Sequence, residues 1–145
     1  LTLKTLIAKP HLKVGFVSER IGAPYDLATA NCWHLATRAL AALYGVEAPA
    51  FRKRDAASRK ARLEAADGFR LWEGWEETEA ASDGALVLMS REGCEPDLHA
   101  GVFIVLPFQA GVLHTSDPHG IVFETLGDIQ HARGFDRLRF FRPIP

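Results

Sequence analysis

The chain has 145 residues, of which 48 % are hydrophobic and 24 % charged, and its formal net charge is −1. This length suits one domain, residues 1–145, with a core of its own. So even a charge excludes nucleic acid as the main partner, because phosphate binding needs a clustered excess of Lys and Arg, and no apolar run reaches membrane-spanning length.

Residues 1–24 are mixed in character, lack the long apolar core of a secretory signal, and end in a turn at Ile21-Gly-Ala-Pro24. A helix is predicted over 30–44, where Leu35, Ala36, Ala39, Leu40 and Leu43 recur at helical spacing and Gly45 supplies a stop. Pro49 breaks the chain, and residues 53–66, rich in Ala and Arg, read as a second helix on the surface. The basic stretch from Arg52 to Arg62 is interrupted by Asp55, as on a solvated helix face. Residues 68–82, with Trp72 and Trp75 on an acidic background, carry no clear period.

From Asp83-Gly84 onwards the pattern changes to short apolar runs separated by Gly and Pro clusters, the spacing of antiparallel hairpins. Strands are predicted at 85–89, 98–106, 111–115, 120–126 and 138–142, with a short helix near 128–132 before the last. Helices first and a meander of about five strands afterwards make an α+β domain.

Cys32 stands where a Pro- and Gly-bearing loop gives way to the first predicted helix, in Ala28-Thr-Ala-Asn-Cys-Trp-His-Leu-Ala36. The first turn of a helix offers unpaired N–H groups and the positive end of its dipole, which favour a thiolate. A free thiol has a pKa of about 8.5, and such a position beside a histidine lowers it towards neutrality. The competing reading is a small buried hydrophobe opening an apolar face. Cys94, in a loop with Gly and Pro, reads as an incidental thiol.

Two of the six histidines lie in predicted strands. His99 opens Leu98-His-Ala-Gly-Val-Phe-Ile-Val-Leu106 and shares a face with Gly101, Phe103 and Val105, with Gly101 leaving room beside it. His114 lies on the next strand, and opposed residues of an antiparallel pair are about 5 Å apart. A helix packed on that sheet then offers Cys32 to His99, with His114 fixing the His99 tautomer: nucleophile, base and orienting group. Each alone reads equally well as a hydrogen-bonded structural histidine. His34 is a poorer candidate, because two residues along a helix set its side chain away from Cys32. His11, His119 and His131 fall in loops or helix ends. No compact Cys or His pair has zinc-ligand spacing, so neither metal nor cofactor is expected.

These residues resemble the NlpC-type cell-wall cysteine peptidases, compact relatives of papain. Gly22-Ala-Pro-Tyr25 is similar to the family's Gly-x-Pro-Tyr loop, and Asn31-Cys-Trp-His-Leu35 to its Asp-Cys-x-Gly-Leu helix start. Asp83-Gly-Ala-Leu-Val-Leu88 resembles its Gly-Asp-Leu-Val strand opening, and His99-Ala-Gly-Val-Phe103 its His-Val-Gly-Ile-Tyr strand. Val112-Leu-His-Thr115 resembles the strand bearing the third polar residue. The resemblance spans residues 21–126 and implies a papain-like core with a nucleophile helix packed on an antiparallel sheet. It implies Cys32 as nucleophile, His99 as general base, His114 as orienting residue, and Tyr25, Asn31 and Trp33 at the substrate and oxyanion.

The implied activity is hydrolysis of an amide bond in peptidoglycan stem peptides. A tryptophan after the cysteine resembles the branch found in phage tails and gene-transfer particles, which implies other tail proteins as partners and a virion tail as location. The chain departs from wall-hydrolysing members at Asn31 and Trp33, where they carry aspartate and serine, so the usual γ-D-glutamyl specificity is not implied. Two alternatives follow: a structural or wall-binding tail module that has lost hydrolysis, and an acyltransferase using the same Cys–His pair. Asn31-Cys32 is also similar to the lecithin:retinol acyltransferase-like group, whose histidine precedes its cysteine.

Overall fold

Pro10 opens the first helix, α1 (Pro10–Arg20), at a position whose N–H would have no helical partner in any case. The computed structural model describes residues 10–24, 32–48, 74–91, 99–116 and 119–145. α1 is a helix that the mixed pattern of residues 1–24 did not disclose, and it places His11 in its first turn. Its buried side chains are Lys13, Phe16 and Val17, so a lysine interrupts the apolar face that periodicity would need. The second helix, α2 (Cys32–Tyr44), follows its predicted span, with Leu35, Ala36, Ala39, Leu40 and Leu43 all buried. At its end Gly45 takes φ +62°, and the Val46 N–H returns to the Leu40 carbonyl at 3.0 Å.

Six strands follow: β1 (Trp75–Thr78), β2 (Leu86–Ser90), β3 (His99–Val105), β4 (Ala110–Ser116), β5 (Gly120–Glu124) and β6 (Arg137–Pro143), with a short helix, α3 (Leu126–His131), before the last. They form one sheet in the order β1-β6-β2-β3-β4-β5, with every pairing antiparallel. The class is α+β, as expected. The additional strand is β1, which lies in the segment that showed no period. It is an edge strand held by charge: Glu76 pairs with Arg142 at 2.8 Å and Glu77 with Arg139 at 2.9 Å. α3 is started by Thr125, whose hydroxyl accepts from the Asp128 N–H at 3.1 Å.

Alternation along the strands sorts the core into two faces. On one, Ala100, Val102, Ile104 and Leu113 pack beneath α1 and α2. On the other, Val87, Phe103, Val112 and Phe140 pack with Ile129 of α3 and with Phe135. α2 lies along β3, its Tyr44 end at Asp83 and Val105 and its Cys32 end at Ala100. The loop leaving α1 docks on the free edge of β5, with Gly22 N–H to the Ile121 carbonyl at 2.8 Å and Ile121 N–H to the Ala23 carbonyl at 3.0 Å. Gly120 permits this: at φ +77°, a Cβ there would stand 2.1 Å from the Ala23 oxygen. The predicted helix over 53–66, Trp72, Tyr25, Asn31 and Cys94 lie outside the described residues.

Candidate active site

His99 and His114 meet because β3 and β4 pair with Val102 opposite Leu113, which sets Gly101 opposite His114. A Cβ on Gly101 would stand 2.5 Å from a Val112 methyl and 3.1 Å from the His114 Cβ. The room expected beside His99 is therefore already filled by β4, and the glycine serves the close approach of the two strands. Both imidazoles lie on the sheet face that carries Phe103 and Val112. The rings meet edge to face with centroids 5.1 Å apart, His99 Nε2 is 3.0 Å from His114 Nδ1, and His99 stacks on Phe135 at 5.5 Å.

The contact continues inward to two residues that sequence reasoning missed. His114 Nε2 is 2.8 Å from Glu124 Oε1, and Arg133 Nε donates to both Glu124 oxygens at 3.0 Å. Val112 pairs with Glu124 across β4 and β5, so Glu124 is the diagonal neighbour of His114 on one face. That register was the available signal. Arg133 lies in the bend after α3, and nothing in the local pattern of the chain points it at Glu124.

The chain of partners fixes the tautomers. Glu124 accepts from Arg133 Nε with both oxygens, and a carboxylate can only accept, so His114 Nε2 carries the proton. His114 Nδ1 is then an acceptor, and His99 Nε2–H donates to it. The Thr115 carbonyl, 3.2 Å from His114 Nδ1, then faces a lone pair there and takes its hydrogen bond from His99 instead. The other tautomer of His114 would set a lone pair against the Glu124 carboxylate at 2.8 Å, a closer and more costly clash. His99 Nδ1 is left as a basic lone pair with no hydrogen-bond partner among the described residues.

Cys32 begins α2 and packs against the other core face. Its thiol lies by the Ala100 main chain, and the backbone N–H groups of Ala100, Trp33 and Cys32 itself favour the thiolate. The sulfur and the His99 imidazole thus flank the single His99–Ala100 peptide at the open end of β3, with no hydrogen bond joining them. Trp33 is half-buried against the α2-side core. His34 is half-buried, while His11, His119 and His131 are exposed. Among the described residues no three His, Cys, Asp or Glu side chains converge to hold a metal.

The charge states differ from the expected one. Burial pushes the Cys32 thiol up, against the pull of the main-chain N–H groups; the helix terminus that was to ionise it is outweighed by desolvation. Burial, then His114 and then the Arg91 charge hold His99 down at about 4. Burial also lowers His114, with Glu124 working against it. At neutral pH the thiol and the imidazole are both neutral, and they stand on opposite faces of the sheet.

Next to His99 lies a cavity of about 320 Å³ lined by Arg91, His99, His114, Thr115, Ser116, Arg133 and Phe135. Arg91 donates through Nε and Nη2 to the Arg133 carbonyl at 3.3 and 2.9 Å, and its guanidinium lies 4.2 Å from the Phe135 ring centre. The cavity brings together an imidazole and two guanidiniums, and Cys32 is not among its lining residues. No protein-family model matches the sequence, and no curated protein or solved structure matches it.

Proposed function

We propose that the protein is a papain-like cysteine peptidase or amidase that cleaves an amide bond in peptidoglycan stem peptides, with Cys32 as nucleophile and His99 as base. One observation carries the reading: the thiol lies against the main chain of the residue that follows His99, and His99 Nδ1 has no hydrogen-bond partner among the described residues. The sequence resemblance to NlpC-type peptidases supplies the substrate class and the setting in a phage-type tail. The reading requires the Cys32 sulfur and the His99 imidazole to come together round the open end of β3 when substrate binds, and His99 Nδ1 then takes the thiol proton as sulfur attacks the carbonyl carbon. Catalytic hydrogen bonds tighten when substrate binds. N–H groups at the start of α2 stabilise the oxyanion. Protonated His99 then donates to the leaving amine, giving a thioester that water hydrolyses, with His99 again as base.

His114, Glu124 and Arg133 act behind His99. They hold its Nε2 as a donor, and Glu124 compensates the imidazolium as it forms. Incubation with stem peptides, followed by mass spectrometry, should show one amide cleaved by the wild type and none by Cys32→Ala. Equal cleavage by both proteins would overturn the reading.

A second reading is a wall-binding or tail module that keeps the fold without hydrolysis. The upward shift of the Cys32 thiol and the missing thiol–imidazole hydrogen bond favour it. It predicts binding to sacculi with no released peptide from wild type or variant.

A further inference from the structure

The cavity beside His99 is cationic for a reason the proposed thiol chemistry does not need. Two guanidiniums, Arg91 and Arg133, face it, and Glu124 is the carboxylate that balances one of them. The histidines between them are neutral, so one positive charge remains among the described residues. Both arginines are tied down at one end: Arg91 through Nε and Nη2 to the Arg133 carbonyl, and Arg133 through Nε to Glu124. Among the described residues, Arg91 Nη1 and both terminal nitrogens of Arg133 have no hydrogen-bond partner. These donors are held in place by packing on Phe135 and by the bend after α3. Ser116 adds a hydroxyl at the rim.

We propose that this cavity binds a carboxylate of the substrate, received by the free ends of Arg91 and Arg133 with Phe135 as its floor. A guanidinium fixed at Nε presents its remaining donors in a plane, which matches the two oxygens of a carboxylate. The volume accommodates a side chain bearing that group, within the range of small-ligand sites. The cavity meets the ring of His99, so the bound carboxylate sits on the side of the scissile bond that receives the His99 proton, the leaving-group side. That placement rests on the peptidase reading; carboxylate binding itself does not.

Binding is read by NMR from the ring protons of His99 and His114 during titration with succinate, succinamide and inorganic phosphate. Succinate should shift both rings at millimolar concentration and succinamide should not. Arg91→Gln, at an exposed position that perturbs the core little, should weaken succinate at least ten-fold. Phosphate binding ten-fold tighter than succinate would overturn the carboxylate assignment, as would equal binding of succinate and succinamide, or an Arg91→Gln protein that binds succinate like the wild type. For placement, stem peptides with a carboxylate or a carboxamide after the scissile bond should differ ten-fold in KM at similar kcat. A protein that binds succinate through Arg91 but cleaves no stem peptide overturns the peptidase reading and upholds the pocket. One that cleaves stem peptides yet takes succinamide as readily as succinate does the reverse.

Discussion

The two ends of β3 carry two buried polar networks that differ in one respect. At the Val105 end Asp83 is saturated. Its carboxylate accepts from Tyr44 Oη at 2.7 Å and from the Val105 N–H at 2.9 Å, and it pairs with the buried Lys13 ammonium. Lys13 reaches on to the Val105 carbonyl at 3.3 Å. These bonds join α1, α2 and the β2–β3 sheet, and the Tyr44 hydroxyl is pushed far above its ordinary range by burial and by Asp83. At the His99 end the network runs Arg133, Glu124, His114, His99 and ends beside a cavity at an Nδ1 with no partner among the described residues. A closed network rigidifies; an open one leaves an atom available for chemistry.

Cys32→Ser tests that contrast most severely. Loss of a nucleophile removes on the order of 10³-fold or more of turnover, while a one-atom change at the start of α2 should leave stability within about 1 kcal/mol. Thiol alkylation of the wild type should be slow at pH 6 and rise only towards alkaline pH, since burial holds the thiol protonated. Rapid alkylation at pH 6 would show a thiolate and contradict the desolvated site.

Asp83→Ala should show the opposite signature. It strands the Lys13 ammonium, whose side chain is 7 % exposed, and leaves the Tyr44 hydroxyl unpaired. Removing one partner of a buried pair costs about 3–5 kcal/mol, and because Asp83 is 29 % exposed about 3 kcal/mol is expected. Urea unfolding should register that loss, with KM and kcat of the surviving folded protein unchanged. A large drop in kcat without destabilisation would mean that the clamp reaches the site.

Glu124→Gln is a smaller and more specific change. Arg133 still needs an acceptor, so the amide oxygen turns to Arg133 and the NH₂ group faces His114. His114 then protonates Nδ1, His99 Nε2 becomes an acceptor, and its Nδ1 carries the proton. The base is blocked by its own tautomer. Isosteric changes that invert a catalytic tautomer can cost about 10⁴-fold in kcat; here, with water able to enter the cavity, about 10²-fold is expected at nearly unchanged KM. An unaltered pH–rate profile and kcat would remove Glu124 from the positioning of His99.

What the sequence disclosed follows from which forces are local. α2 and the inner strands were legible because apolar periodicity both defines them and buries them. The His99–His114 pairing was readable from two strands separated by one turn. α1 was hidden because its buried face includes Lys13, an ordinary surface residue until Asp83, seventy positions away, is seen to neutralise it. β1 was hidden because its partners are the arginines of β6, again far along the chain. Glu124 was within reach of a register argument, whereas Arg133 and Arg91 depend on the bend after α3. The thiol's charge state was misjudged because a helix terminus is visible in sequence and the depth of burial above it is not.

Acid should separate the two networks by the smallest effect. His99 is held at about 4 in the folded protein, against about 6.5 in an unfolded chain. Between those values the unfolded state binds a proton that the folded state refuses, so stability falls as pH drops from about 6.5 to about 4. Above 6.5 both states are neutral and the contribution is complete; below 4 both are protonated and the loss stops. A shift of this size corresponds to at most about 3 kcal/mol, and the partial exposure of the ring reduces the expected value to about 2 kcal/mol. His114, also lowered, adds to the slope in the same window. Carboxylates elsewhere titrate nearby, so the informative quantity is the difference between wild type and His99→Gln. Urea midpoints at pH 7, 5.5 and 4.5 should fall more steeply in the wild type, and parallel profiles would mean that His99 is not held neutral by the fold.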